Sequence, residues 1–152
     1  MEVIPRLLPD QIQLKKHAED WQSALRLAAK PLLDQKYITA DYVQSMIDSV
    51  KKLGPYIVIS PGLALGHARP SSAVKKTGFS ITTLDKAVKF GNKDNDPVDL
   101  IVILASINNV DHLALLQKLV SFLNDSKNLT SLRQMTTSDE ATKVAQQING
   151  DF

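Results

Sequence analysis

The chain has 152 residues, which corresponds to about one domain with a substantial core. Its net charge of +2 and aromatic content of 5% argue against a basic, base-stacking nucleic-acid surface. The absence of cysteine excludes disulfides and thiolate chemistry, and no apolar run reaches the roughly 18 residues of a membrane span. We therefore expect one cytoplasmic domain over residues 1–152, with no signal-peptide pattern at its start, no membrane insertion and no nucleic-acid partner.

The N-terminal third predicts a strand followed by a helix. Alternating apolar residues from Ile12 to Ala18 predict the first strand. Asp20 is a suitable N-cap for a helix that begins at Trp21. We expect Pro31 to kink this helix rather than end it, because the apolar stripe continues at Leu32.

The rest of the chain alternates between helix and strand patterns, which predicts a layered α/β domain. The predicted strands are Tyr56–Ser60, Leu63–Leu65, Thr77–Leu84 with a hairpin partner at Ala87–Phe90, and a central Val98–Ser106. Two predicted helices follow Thr39 (ending at Gly54-Pro55) and Asn108-Asn109, a short one lies within Asn124–Met135, and a last one spans Ser138–Ile148. Two apolar helix faces are predicted: Tyr42, Val43, Met46, Ile47, Val50 and Leu53; and Leu113, Leu116, Leu119, Val120 and Leu123.

The stretch Pro61–Pro70 gathers the most informative residues of the chain. A Pro-Gly turn leads into a short apolar strand, and Pro70 ends regular structure afterwards. Between them, Gly66 removes a side chain immediately before His67, so another molecule could approach the backbone there. The stretch predicts an imidazole at a strand end, beside the guanidinium of Arg69.

Several types of site could use His67, and the residues alone leave a structural role open. Imidazole titrates near neutrality and has a free lone pair, so it can accept and release a phosphoryl group. A zinc site with His112 and Asp111 lacks the ligand spacing of a metal motif, so we expect no metal and no cofactor. Neither a nucleophile elbow nor a Gly-rich phosphate loop is present, which disfavours a nucleotide-dependent kinase.

The Pro61–Pro70 stretch resembles the active-site motif of the type-2 (mannitol/fructose-class) EIIA proteins of the bacterial phosphotransferase system. The run from Lys52 to Pro70 is most similar to the ascorbate-specific branch, and the resemblance extends from about Gln11 to Gly150. It implies a three-layer α/β/α sandwich with a mixed sheet of about five strands. The family motif usually has proline before its histidine, where this chain has Gly66.

The resemblance implies a phosphocarrier with a phosphohistidine intermediate. His67 would accept a phosphoryl group on Nε2 from phospho-HPr, while a backbone carbonyl holds its Nδ1–H. The acceptor would be a cysteine of a cognate EIIB, which serves a membrane EIIC for uptake of a sugar, here ascorbate. The alternative within the family is a phosphorylation-dependent regulatory module, and a third interpretation is a hydrolase of small phosphoesters. Whether the chain forms a homodimer stays open.

His112 is the second candidate for the site. Asn108 or Asn109 can cap the helix, which places His112 in the first turn, where the helix field favours anions and a neutral imidazole. Alternatively, it is simply a polar residue of an exposed turn. The Asp111-His112-Leu113 context is similar to a family histidine that hydrogen-bonds the phosphoryl group, whereas Asp111 itself is expected to complement the helix dipole.

Three further predictions concern binding. Arg69 suits phosphate or a partner carboxylate, or else it is an ordinary surface arginine. Many relatives outside this branch carry, upstream of the motif, an arginine that steadies the phosphate. In this chain the segment Asp48–Leu53 offers only Lys51 and Lys52 for that role. The centre of an apolar docking surface around His67 is assigned to Leu63, Leu65 and Ala68. His17 is interpreted as a surface residue of the first strand.

Overall fold

The computed structural model describes residues 4–152 and contains one five-stranded mixed sheet in this range. Residues 1–3, which open the segment tested for a signal-peptide pattern, lie outside the described residues. The strands are β1 (Ile12–Lys16), β2 (Val58–Ser60), β3 (Leu63–Gly66), β4 (Gly78–Val88) and β5 (Val98–Ala105). Their spatial order is β1-β4-β5-β3-β2, with β1 parallel to β4, β3 parallel to β5, and the other two pairs antiparallel.

Helices cover both faces of this sheet. They are α1 (Trp21–Asp34), α2 (Ala40–Leu53), α3 (Asn109–Leu123), α4 (Ser126–Gln134) and α5 (Ser138–Asp151), and a short 3-10 turn at Pro9–Gln11 precedes β1. The predicted three-layer α/β/α architecture is therefore confirmed. No helix within residues 4–152 has the length and apolar character to cross a bilayer.

Strand β5 divides the core into two halves. Ile101, Ile103 and Ala105 pack with the apolar residues of α1 and α2, whereas Leu100, Val102 and Leu104 pack with those of α3, α4 and α5. This alternation follows from the two-residue period of a strand, and it explains why both faces of β5 are apolar. The prediction that this strand is central is confirmed.

Local signals at the helix ends act largely as predicted. The Asp20 carboxylate accepts a hydrogen bond from the Ser23 amide at 2.8 Å, and the Asn108 side chain accepts one from the Asp111 amide at 2.8 Å. Helix α1 continues through Pro31 to Asp34. Thr39 occupies the N-cap position of α2, although its side chain makes no cap hydrogen bond.

Two strand predictions were wrong in extent. The predicted buried strand Tyr56–Ser60 is a three-residue edge strand, with Ile59 exposed. The predicted hairpin at Ala87–Phe90 does not form, because β4 continues to Val88, which pairs with Val98 of β5. Val88 is the residue of this extension that pairs with β5, after a register shift between Thr83 and Val88, and local composition does not predict this distant pairing.

The predicted apolar faces were also partly wrong. In α3, Leu113 and Val120 are 56% and 44% exposed, whereas Ala114 and Leu115 are buried. Leu53, in the last turn of α2, is exposed as well. Helix α3 is apolar on most of its circumference, so spacing alone does not determine which stripe faces the sheet.

Candidate functional site

His67 is the first residue after β3 and is half-buried. Its Nδ1 lies 2.9 Å from the carbonyl oxygen of Leu65, which can only accept a hydrogen bond. Nδ1 must therefore carry the proton in this contact, and the neutral ring keeps an unprotonated lone pair on Nε2. The carbonyl contact expected from the resemblance is present.

His112 lies beside His67 because of the sheet topology. Strands β3 and β5 are adjacent and parallel, so both end at the same edge of the sheet, and β5 leads almost directly into α3. The centroids of the two imidazoles are 5.6 Å apart, with an angle of 45° between the ring planes. Two residues separated by 45 positions in the chain thus form one cluster.

The environment of His112 favours a neutral ring. Burial, with a smaller contribution from the neighbouring His67, holds the pKa of His112 below its ordinary value. Its Nδ1 is buried and has no hydrogen-bond partner within residues 4–152. Because a buried unpaired N–H is rarer in proteins than a buried unpaired acceptor, this favours the tautomer with the proton on Nε2.

Tyr56 also belongs to the cluster, although its sequence context predicted a strand. Its ring meets His67 edge-on at a centroid distance of 5.9 Å, and 42% of the residue is exposed. The preceding Gly54-Pro55 interrupts regular secondary structure and was a signal that Tyr56 lies outside a strand. Tyr56 therefore supplies an aromatic surface next to the imidazole.

The predicted role of Gly66 is contradicted. Gly66 is buried, and a Cβ added to it would lie 2.7 Å from Cδ1 of Ile103 and 3.3 Å from Cδ2 of Leu25. The missing side chain makes room for the core of the protein itself, where α1 packs closely on the sheet. It does not open the backbone to another molecule.

The predicted docking centre is contradicted for the same reason. Leu63 and Leu65 are each 1% exposed, because β3 lies inside the sheet and both side chains enter the half of the core that α3, α4 and α5 cover. Ala68, two residues beyond β3, is 8% exposed and packs in the other half of the core, with α1 and α2. Side chains from outside β3 provide the exposed apolar surface of this region. They are Tyr56 beside His67, and Val110 and Leu113 on either side of His112 in sequence.

Arg69 is exposed and forms no hydrogen bond or ion pair with any residue from 4 to 152. Its guanidinium, two residues from His67, is thus available to a ligand or partner. Lys51 and Lys52, in the last turn of α2, are exposed too.

Two other candidate residues are not part of the cluster. His17 follows β1, which runs antiparallel to β3, so it lies at the opposite edge of the sheet. Asp111 lies in the first turn of α3 as predicted, but it is buried and accepts a hydrogen bond from the Thr77 hydroxyl at 3.3 Å. No group of three His, Cys, Asp or Glu residues in the described part of the chain could hold a metal ion.

Comparison with known proteins shows the family of this chain. Residues 7–148 match the model of the family described as "Phosphoenolpyruvate-dependent sugar phosphotransferase system, EIIA 2". The chain belongs to this family. The EIIA chain is 37% identical over 139 residues to the ascorbate-specific PTS system EIIA component of Escherichia coli strain K12, covering 91% of this chain and 90% of that protein. The protein of the same name from Salmonella typhimurium is 36% identical over 141 residues, covering 92% of each.

Solved structures of EIIA proteins have the same fold. The solution structure of the mannitol-specific cryptic enzyme IIA CmtB from Escherichia coli superimposes with a TM-score of 0.82 at 32% identity, covering 91% of this chain and 93% of that one. The mannitol enzyme IIA of Escherichia coli, in its complex with phosphorylated enzyme IIB, has a TM-score of 0.80 at 26% identity, covering 93% of this EIIA chain and 98% of that one.

Proposed function

We propose that this EIIA chain is a cytoplasmic phosphocarrier that accepts a phosphoryl group from phospho-HPr on His67 and passes it to a cognate EIIB. The observation that carries the proposal is the orientation of His67: its Nδ1 contacts a carbonyl oxygen, and its Nε2 is left as a nucleophile beside a second imidazole. The neutral Nε2 lone pair forms the new N–P bond as the bond between phosphorus and the donor nitrogen of HPr breaks.

His112 contributes a hydrogen-bond donor to this reaction. A neutral ring with its proton on Nε2 can donate to a phosphoryl oxygen on His67 without adding a full positive charge. The lowered pKa of His112 supports this role, since burial favours the neutral ring. Preorganised donors of this kind stabilise the charge that develops on a transferring group.

Docking of the two protein partners uses the exposed side chains around the cluster. Tyr56, Val110 and Leu113 form apolar contacts, and Arg69, which pairs with no residue of the described range, provides a positive charge for the phosphoryl group or a partner carboxylate. The acceptor is proposed to be a cysteine of EIIB. The complex of the related mannitol enzyme IIA with phosphorylated enzyme IIB supports an EIIB partner.

The sugar is proposed to be ascorbate. The support is the similarity to EIIA components that carry this name, at 36–37% identity over about nine tenths of both chains. The substrate itself is bound by the membrane EIIC, so the EIIA chain expresses this specificity through its choice of EIIB.

Incubation with enzyme I, HPr and labelled phosphoenolpyruvate tests the proposal. We expect acid-labile label on the wild-type chain and none on His67→Ala. His17→Ala is the matched control, because it removes an imidazole from the opposite edge of the sheet, and it should be labelled like the wild type. Label that persists on His67→Ala would refute the assignment.

A second step tests the acceptor and the substrate class. The labelled chain is mixed with the EIIB of an ascorbate system or with that of a mannitol system. Faster transfer to the ascorbate EIIB is expected. Stable label on His67 that moves to neither EIIB would instead favour the regulatory alternative.

A further inference from the structure

The sequence pattern placed Tyr42 on an apolar helix face. In the structure its phenol also makes hydrogen bonds to the backbone. The residue is fully buried on α2, and its hydroxyl reaches the chain just beyond β3. Its oxygen lies 3.0 Å from the amide nitrogen of Ala68 and 2.6 Å from the carbonyl oxygen of Leu104. A longer contact of 3.2 Å joins it to the carbonyl oxygen of Ala68.

These contacts replace a hydrogen bond of the sheet. The parallel register of β3 and β5 ends at Gly66 opposite Ile103. If the register continued for two more residues, the amide of Ala68 would donate to the carbonyl of Leu104. The Tyr42 hydroxyl stands between these two groups, where it accepts from the amide and donates to the carbonyl.

The inserted hydroxyl separates the ends of β3 and β5 while keeping them connected. It holds the residue after His67, and the ladder holds the residue before it, so the backbone of His67 is fixed on both sides. The Leu104 carbonyl belongs to the strand that leads into α3, which carries His112. One hydroxyl therefore connects the two segments that bear the two imidazoles.

The donor is available at every relevant pH. Burial raises the pKa of Tyr42 to about 12, so the phenol keeps its proton. We infer that Tyr42 is a positioning residue for phosphoryl transfer, which holds His67 in register with His112 through its hydroxyl. This inference rests on the proposed function, but the positioning of His67 by Tyr42 concerns the unphosphorylated chain as well.

The test is Tyr42→Phe, which removes the hydroxyl and keeps the ring. The rate of phosphoryl transfer at saturating phospho-HPr should fall about 10-fold, since a misplacement of about 1 Å can cost up to about 10²-fold. The KM for phospho-HPr should not change, because Tyr42 is fully buried and does not contact a partner. In ring ¹⁵N spectra of the unphosphorylated chain, His67 should change from one Nδ1–H tautomer to a mixture.

Ser80→Ala is the matched control. Ser80 is fully buried, and its hydroxyl donates to the carbonyl of Ala28 at 2.8 Å, on a strand separated from β3 by β5. It removes one buried hydroxyl hydrogen bond and should leave both the transfer rate and the His67 spectrum unchanged.

The outcomes separate the two proposals. A Tyr42→Phe chain with the wild-type rate and spectrum would overturn the positioning role, and so would an equal loss of rate in Ser80→Ala, which would indicate general destabilisation. A wild-type chain that takes no label would overturn the proposed function. In that case the ¹⁵N spectra still decide whether Tyr42 positions His67.

Discussion

Two regions of the molecule place a histidine at an edge of the sheet, and they treat it in opposite ways. His112 is half-buried beside His67, and burial lowers its pKa. His17 is exposed, and its ring lies between two carboxylates: Nε2 is 2.7 Å from Glu19 and Nδ1 is 3.1 Å from Asp85. Hydrogen bonds to Glu19 and then to Asp85 raise its pKa.

The difference shows which features make a histidine suitable for phosphoryl transfer. At His17 both ring nitrogens are occupied by carboxylate oxygens, so no lone pair is available and negative charge repels a phosphoryl group. At His67 one nitrogen contacts a carbonyl oxygen, and no carboxylate from residues 4–152 bonds to the ring. The burial of the ring and the partners of its nitrogens both distinguish the two regions.

The largest expected effect comes from removing the second imidazole of the site. His112→Ala should slow phosphorylation of His67 about 100-fold, because the loss of one preorganised donor to a developing charge typically costs about 10²–10³-fold. Label incorporation from phospho-HPr, followed by rapid quenching, measures this rate.

His17→Ala is the corresponding change in the other region, and its phosphorylation rate should equal that of the wild type. Equal rates for His112→Ala and His17→Ala would show that His112 has no part in the reaction and would remove the functional contrast between the two regions.

The next largest effect is a loss of stability when the close packing at Gly66, next to His67, is disturbed. Gly66→Ala should lower the free energy of unfolding by about 1–3 kcal/mol, because the added methyl group meets Ile103 and Leu25 in a filled core. Urea unfolding measures the change. At Gly150, in α5, a new Cβ meets no atom within 4 Å from the described residues outside its own helix backbone and chain neighbours, so Gly150→Ala should be neutral or slightly stabilising. Similar stabilities of the two variants would show that the core beside His67 can relax.

The opposite pKa shifts predict opposite pH dependences of stability. The pKa of His112 is lowered from 6.5, so below pH 6.5 the unfolded chain binds a proton that the folded chain resists, and the stability contribution is lost as pH falls. The pKa of His17 is raised from 6.5, so its contribution is complete below pH 6.5 and is lost as pH rises through the folded value.

Unfolding free energies measured between pH 5 and 8 test these signs. The fall in stability on the acid side should be smaller in His112→Gln, and the fall on the alkaline side should be smaller in His17→Gln. The alkaline effect should be the weaker one, because His17 and its partners are exposed to solvent. If the stability of His112→Gln fell on the acid side as much as that of the wild type, burial would not be the cause of the lowered pKa of His112.

The smallest effect concerns the carboxylates around His17. Asp85→Asn should lower the pKa of His17 toward its ordinary value, while the pKa of His112, at the other edge of the sheet, should not move. An NMR titration of both rings measures the two values in one sample. A change in the pKa of His112 in this variant would show that the two regions are coupled.

Much of the secondary structure and the layered architecture could be predicted from local sequence patterns. The caps at Asp20 and Asn108, the apolar run of β5 and the alternation of strands with helices predicted the element types and the layered architecture. The Pro61–Pro70 motif identified His67 as the candidate site. The predictions of element type and architecture succeeded because they depend on neighbours within a few positions along the chain, whereas the assignment of His67 stays a prediction.

Only the tertiary structure decided which groups meet and which are exposed. It placed His112 and Tyr56 beside His67, inserted the Tyr42 hydroxyl between β3 and β5, and buried Leu65 and Ala68, which the sequence had suggested as a docking surface. Strand order and the rotation of each helix about its axis arise from packing between distant segments. A site assembled from strand ends therefore becomes visible only when the sheet is complete.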